Sequence, residues 1–145
     1  QDLEKRMVRR LRHYRKPQAR FVVMRDQDSG NCVTVKGGLI AKCDEAGRPE
    51  TLVRIACREL EAWILGDLEA FAEEFDCPAA ARATTQVKYA DPDAVVKPVD
   101  VLRKFHQEYQ KRDGARRMGI VLDPNRNSSV SFRVFCDGIR KLTEH

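Results

Sequence analysis

The run Phe21-Val22-Val23-Met24 constrains this chain more than any other feature. It is continuously apolar, rich in strand formers and without alternation, so it reads as a central strand buried on both faces, as in parallel sheets. It passes at once into Arg25-Asp26-Gln27-Asp28-Ser29-Gly30, a polar loop at the carboxyl end of the strand. A second strand is expected at Leu52-Val53-Arg54-Ile55-Ala56-Cys57, and it too runs into acids, at Arg58-Glu59-Leu60-Glu61. Strands early, alternating with helices and followed by helices, predict an α/β domain with a small sheet.

The helices follow from spacing and punctuation. Leu3, Met7, Val8, Leu11 and Tyr14 recur at helical spacing, with Arg6, Arg9, Arg10 and Lys16 on the opposite face and Pro17 as the stop. Residues 33–43 read as a helix weakened by Gly37 and Gly38, and Ser29 is a candidate cap for it. A helix is expected from Glu59 to Leu65, interrupted at Gly66, and Asp67 can cap the next one to Phe75, with Cys77-Pro78 stopping it. Residues 84–98 read as loop, with Asp91-Pro92 and Lys97-Pro98 as turn markers. Helices are then expected at 99–110, 115–122 and 128–142. The 145 residues suit a single domain over 1–145.

Charge is unevenly spread. Residues 1–20 hold eight bases against Asp2 and Glu4, residues 21–99 hold 14 acids against nine bases, and residues 100–145 hold ten bases against six acids. An acidic middle between basic flanks suits a metal site held next to a polyanion; the plainer alternative is an unevenly charged solvated surface. The apolar runs fall far short of the roughly 20 residues that span a bilayer, and no export signal is visible, so a cytoplasmic protein without membrane contact is expected. Five widely spaced cysteines, Cys32, Cys43, Cys57, Cys77 and Cys136, with no CxxC or HxxxH pattern, argue against a disulfide scaffold and a structural zinc site. They read as small buried hydrophobes. His13, His106 and His145 are scattered and read as surface residues, Trp63 as core. No P-loop is present, so ATP is not bound that way.

The strongest chemical feature is Asp26-Gln27-Asp28. In extended backbone its two carboxylates project to one side, at the sheet edge where open α/β folds bind ligands. Paired carboxylates there are a seat for a hard divalent cation, which relieves their repulsion. A DxD alone is common, and most are turn or cap acids. Glu59 and Glu61 strengthen it, because they follow the second strand in the equivalent place. Both cannot face inward if that segment is helical, since they would lie roughly 200° apart around the axis; extended, they could. One of them as a helix N-terminal acid is the alternative, and at least one is expected to face the site.

The segments RFVVMRDQDSGNC, LVRIACRELEAWILGDLEAF, KYADPD, KP and SVSFRVFCDGIRKL, in this order over nearly the whole chain, resemble the domain-of-unknown-function 4276 family, a Toprim-like group. The resemblance implies a Toprim-like fold, a small, mainly parallel sheet flanked by helices, with a helical carboxyl-terminal half. It also implies Mg²⁺ or Mn²⁺ held by a DxD and an upstream glutamate for phosphodiester chemistry, as in topoisomerases, primases and nucleases of the overcoming-lysogenization-defect type. Asp26 and Asp28 match the DxD. The upstream glutamate finds no match, and the chain, which starts at Gln1, is expected to lack the strand that carries it.

The expected function is therefore a Mg²⁺-dependent nuclease-like domain acting on DNA or RNA, in a phage-defence setting. Asp26, Asp28, Glu59 and Glu61 are the candidate catalytic acids, and Asp26, Asp28 and Glu59 the metal ligands. Phosphate holders are sought among Lys88, Lys111, Arg112, Arg116, Arg117, Arg126 and Arg133. Each of these taken singly reads first as solvated surface, and the phosphate-holding role is read for the cluster. Two other readings remain: a non-catalytic regulatory module paired with a separate AAA-type ATPase, which the resemblance implies as a partner, and a simple basic nucleic-acid-binding domain.

Overall fold

A computed structural model describes residues 2–144. Gln1 and His145 lie outside the described residues, as do the side chains of Asp2 and Leu3. The chain opens with α1 (Asp2–His13), then β1 (Val22–Asp26), α2 (Cys32–Glu45) and β2 (Leu52–Ala56). The rest is helical: α3 (Glu61–Leu65), α4 (Leu68–Glu74), α5 (Pro78–Ala83), two single 3₁₀ turns at Val87–Tyr89 and Pro92–Ala94, α6 (Pro98–Phe105), α7 (Lys111–Val121) and α8 (Val130–Thr143). This is the expected α/β class, with a small parallel sheet and a helical carboxyl-terminal half.

The sheet pairs β1 with β2 in parallel, Val22 opposite Leu52 through Asp26 opposite Ala56. It has two strands among the described residues, so β1 is not the central strand its composition predicts. Val22 and Met24 remain 41% and 39% exposed, while Val23 packs into a small core with Leu11, Leu39, Cys43 and Val53. An unalternating apolar run fits burial on one face or on two. Helix α1 reaches this core through Leu11, Met7 and Val8, and Tyr14, 44% exposed, sets its ring edge-on to Phe21.

The larger core belongs to the helical half, where Ile64, Leu68, Phe71, Leu102, Tyr109 and Met118 are fully enclosed. Trp63, as expected of a core residue, packs with Phe132 and Phe135 where α8 covers β2, and its indole N–H donates to Ser131 Oγ at 2.7 Å. Where α8 crosses the sheet, Gly138 lies against the Arg54 guanidinium, 2.6 Å from where a Cβ would stand.

Three local expectations change. Asn31, not Ser29, caps α2, its Oδ1 accepting from the N–H groups of Val33 and Thr34. Pro78 begins α5 rather than only ending α4, because proline suits the first helical position, where its missing N–H has no partner to lose. The helix expected to run to residue 110 ends at Phe105, and α7 begins earlier, at Lys111. The Asp67 cap is present: its Oδ1 accepts from Ala70 N–H. The cysteines are free; Cys43 and Cys77 are buried, whereas Cys32, Cys57 and Cys136 are only partly so.

Candidate metal and phosphate site

The parallel register brings the ends of both strands to one edge, and the backbone continues the pairing beyond them. Gln27 N–H donates to Ala56 O and Asp28 N–H to Arg58 O, each at 2.9 Å. The Gln27 side chain ties the two loops further, donating to Gly30 O and accepting from Arg58 N–H. Both chains then turn away through left-handed residues, Asp28 at φ 53° and Arg58 at φ 62°. Aspartate tolerates this region, whereas an arginine there carries strain of about 1 kcal/mol or more. Strain of this kind persists where the surroundings over-determine it, and here it fixes the direction in which the two acidic loops leave the sheet.

Asp26, the last residue of β1, points across to the second loop, and its Oδ1 accepts from Leu60 N–H at 2.9 Å. Glu59 and Glu61 flank that same Leu60. Glu59 lies just ahead of the first helical residue of α3, so the angular separation of two helical residues does not apply to the pair. Both carboxylates reach one cation, the Lys111 ammonium at the start of α7: Nζ lies 2.5 Å from Glu59 Oε2 and 3.7 Å from Glu61 Oε2. The Glu61 side chain is almost fully enclosed, at 4% exposure, while that of Lys111 is 52% exposed.

The electrostatics are those of an under-compensated anionic group. Burial raises the Asp26 carboxyl above its ordinary value; the Leu60 N–H and the Lys111 charge oppose this, and the Asp28 and Glu59 charges add to it. Burial likewise raises Glu61, against its own backbone N–H and Lys111, with Glu59 and Asp26 adding to the rise. Lys111 is held more firmly protonated, chiefly by its hydrogen bond to Glu59, with burial opposing. Two carboxylates thus contact one ammonium, a third feels its charge, and burial raises the pKa of Asp26 and Glu61.

Lys111 is placed by a residue that sequence reasoning missed. Tyr109 is fully buried, two positions earlier, and its ring lies against Gly114 of α7, where a Cβ would stand 2.2 Å from it. Its hydroxyl is buried without a hydrogen-bond partner, and burial, helped by the Glu61 charge, raises its pKa. The contact fixes the first turn of α7, and with it Lys111, over the acids. No local motif announces a contact between residues 52 positions apart.

The remaining candidates separate clearly. Asp28 is exposed on its loop and reaches the group through its charge on Asp26. Arg126 is committed to the buried Asp67, with Nε 2.6 Å and Nη2 3.1 Å from its two oxygens. Arg117 binds Glu74 through side chain and backbone and covers the Phe75 ring at 4.0 Å. Arg116 pairs with Asp113, Lys88 lies over the Tyr89 ring, and Arg112 and Arg133 are exposed. Of the seven, Lys111 is the one that meets the acids.

The donor chemistry suits a hard divalent cation, being all carboxylate oxygen, and the Lys111 ammonium already stands among the donors as a cation. As the side chains stand, no group of three or more His, Cys, Asp or Glu among the described residues is arranged around a metal position.

A family model, that of a domain of unknown function (DUF4276), matches residues 1–140. The chain belongs to the DUF4276 family. Neither the curated proteins nor the solved structures gave a match. In this DUF4276 chain the matched region contains both strands, the acidic edge and Lys111. Among the described residues no helix is long and apolar enough to cross a membrane.

Proposed function

We propose that this DUF4276 chain is a Toprim-like, Mg²⁺- or Mn²⁺-dependent nuclease-like domain of the cytoplasm, acting on nucleic-acid phosphodiesters in a defence setting. One observation carries the reading: at the carboxyl ends of two parallel strands, Glu59 and Glu61 meet one cation, Lys111, and Asp26 lies near enough to feel its charge, at the edge where such sheets bind ligands. Asp26 and Glu59 are the first ligands in this reading, with Asp28 able to join from its exposed loop. A divalent cation held there would lower the pKa of a bound water and neutralise charge on the phosphate. Glu61, whose carboxyl burial pushes above its ordinary value, is the candidate proton donor or acceptor of the group. Lys111 and the exposed Arg112 beside it supply positive charge for flanking phosphates.

The test is cleavage of DNA and RNA by the full-length protein with Mg²⁺ or Mn²⁺, alongside Asp26→Asn and Asp28→Asn. Loss of metal-dependent cleavage in Asp26→Asn supports the reading. Cleavage unchanged in both variants would sink it.

A second reading has its own observation. Lys111 already neutralises part of the acidic group, which suits a non-catalytic regulatory module partnered with a separate AAA-type ATPase. Copurification with such an ATPase, with no cleavage under any metal condition, would favour it.

A further inference from the structure

We propose that Cys32 and Cys57 form a reversible disulfide site, closed by hydrogen peroxide, where the start of α2 meets the end of β2. The site is separate from the metal reading and needs no metal.

The packing of the two elements brings these thiols together. Along β2, Val53 and Ile55 face the core shared with α2. Strand side chains alternate, and pairing with β1 continues as far as Arg58 O, so Cys57 follows in the same row. Along α2, Val35, Leu39 and Cys43 form the inward stripe of that core. Cys32 stands three positions before Val35 and tops the stripe. The backbone is tied at the same height. The Gln27 side chain donates to Gly30 O and accepts from Arg58 N–H, holding together the two stretches that carry the cysteines. Both thiols line one cavity of about 490 Å³, together with Lys36, Ser131 and Asp93.

Exposure sets this pair apart from the other three cysteines. Cys43 and Cys77 are buried, whereas Cys32 and Cys57 are partly exposed. Cys136 is partly exposed too, but it lines a different hollow, with no second thiol among the described residues there.

The two thiols have different roles. Burial pushes the Cys57 thiol above its ordinary pKa, with the charges of Asp93 and Cys32 adding to the rise and a hydrogen bond with Ser131 opposing it. Cys57 is therefore kept protonated. Peroxide is attacked by a thiolate, so Cys32, with Lys36 one turn along its helix and lining the same cavity, attacks first. Its sulfur bonds to one peroxide oxygen, the O–O bond breaks, and the hydroxide released takes a proton to become water. The Cys57 sulfur then attacks the Cys32 sulfenic acid. The S–S bond forms, the S–O bond breaks, and the departing hydroxide takes the Cys57 proton as a second water. Two thiols lose two electrons and one hydrogen peroxide gains them. The closed bridge ties the first turn of α2 to the chain just ahead of Arg58, where left-handed backbone sets the course of the second acidic loop.

The test treats the full chain with hydrogen peroxide, native and in urea, and maps its cysteines by mass spectrometry of non-reducing digests. In the native protein the Cys32–Cys57 linkage should form at least about tenfold faster than any other pairing, because the fold holds the two sulfurs together. It should reverse with dithiothreitol, and the preference should vanish in urea. In Cys57→Ser, dimedone should label Cys32 as the sulfenic acid. Linkage to Cys136 at a comparable rate, oxidation of both cysteines without linkage, or the same preference in urea overturns the proposal. An unlabelled Cys32 in a folded Cys57→Ser overturns it as well. Should that variant fail to fold, the wild-type linkage pattern decides alone.

Discussion

Two buried carboxylates, Glu61 at the start of α3 and Asp67 at the cap of α4, are satisfied in opposite ways. Asp67 is closed off on every side: Ala70 N–H, Asp123 N–H and both arms of Arg126 donate to its two oxygens. Nearby, Asn127 donates to Trp63 O and accepts from Ser129 N–H, while Asp93 accepts from Ser129 Oγ, Ser131 Oγ and Ser131 N–H. Most of these donors are backbone or short side chains, and the one long side chain among them, Arg126, holds both oxygens of Asp67 at once. At the sheet edge, Glu61 is nearly as enclosed, yet its outside partner is one long, half-exposed lysine. A carboxylate locked by fixed donors is architecture. Glu61 instead meets one half-exposed ammonium, and burial, with the neighbouring acids adding to it, raises its pKa.

Substitutions sharpen this contrast, beginning with the largest effect. Asp67→Ala removes a cap and orphans Asp123 N–H, and should cost about 3 kcal/mol in urea unfolding. A loss under about 1 kcal/mol would show that the network is not architectural. Gly66→Ala strikes the same region, because a Cβ there would stand 2.0 Å from Asn127 Oδ1; overpacking of this kind costs about 1–3 kcal/mol. Lys111→Gln removes a half-exposed ion pair, so thermal unfolding should register no more than about 1 kcal/mol.

Glu61→Gln should differ even in sign from Asp67→Ala. The folded state raises the Glu61 pKa above its ordinary 4.5. Between those two values the folded chain holds more protons than the unfolded one, so stability falls as pH rises. Glu61→Gln removes that fall. Wild type should therefore lose stability relative to the variant as pH climbs above 4.5, and then hold a constant difference once Glu61 is ionised. A variant that is progressively less stable than wild type over the same climb would contradict the raised pKa.

The sequence made the acidic edge legible and hid what occupies it. The two apolar runs marked β1 and β2 because each is short, rich in strand formers and ends in polar loop residues. The same property concealed that β1 leaves Val22 and Met24 uncovered, since burial on one face or two depends on neighbours that the run does not encode. Asp67 could be read as a cap because capping acts over three residues. The choice of Asn31 over Ser29 turned on where the loop tied by Gln27 releases the chain into α2. Spacing brought Glu59 and Glu61 into question but could not orient them, because the outcome depended on whether the helix began at residue 59 or 61. Lys111 stood among seven basic candidates with nothing to single it out. Tyr109 packs on Gly114 within the same stretch of chain, but the meeting of Lys111 with Glu59, 52 positions away, is a tertiary contact without a local signature.

The central claim, that the Asp26, Glu59 and Glu61 edge takes a divalent cation, is tested most directly by titrating Mn²⁺ into wild type and Asp26→Asn side by side. The account predicts saturable binding by wild type, weakened about tenfold or more in the variant, on the scale of losing one charged ligand interaction. Binding that is unsaturable, or identical in both proteins, would contradict it.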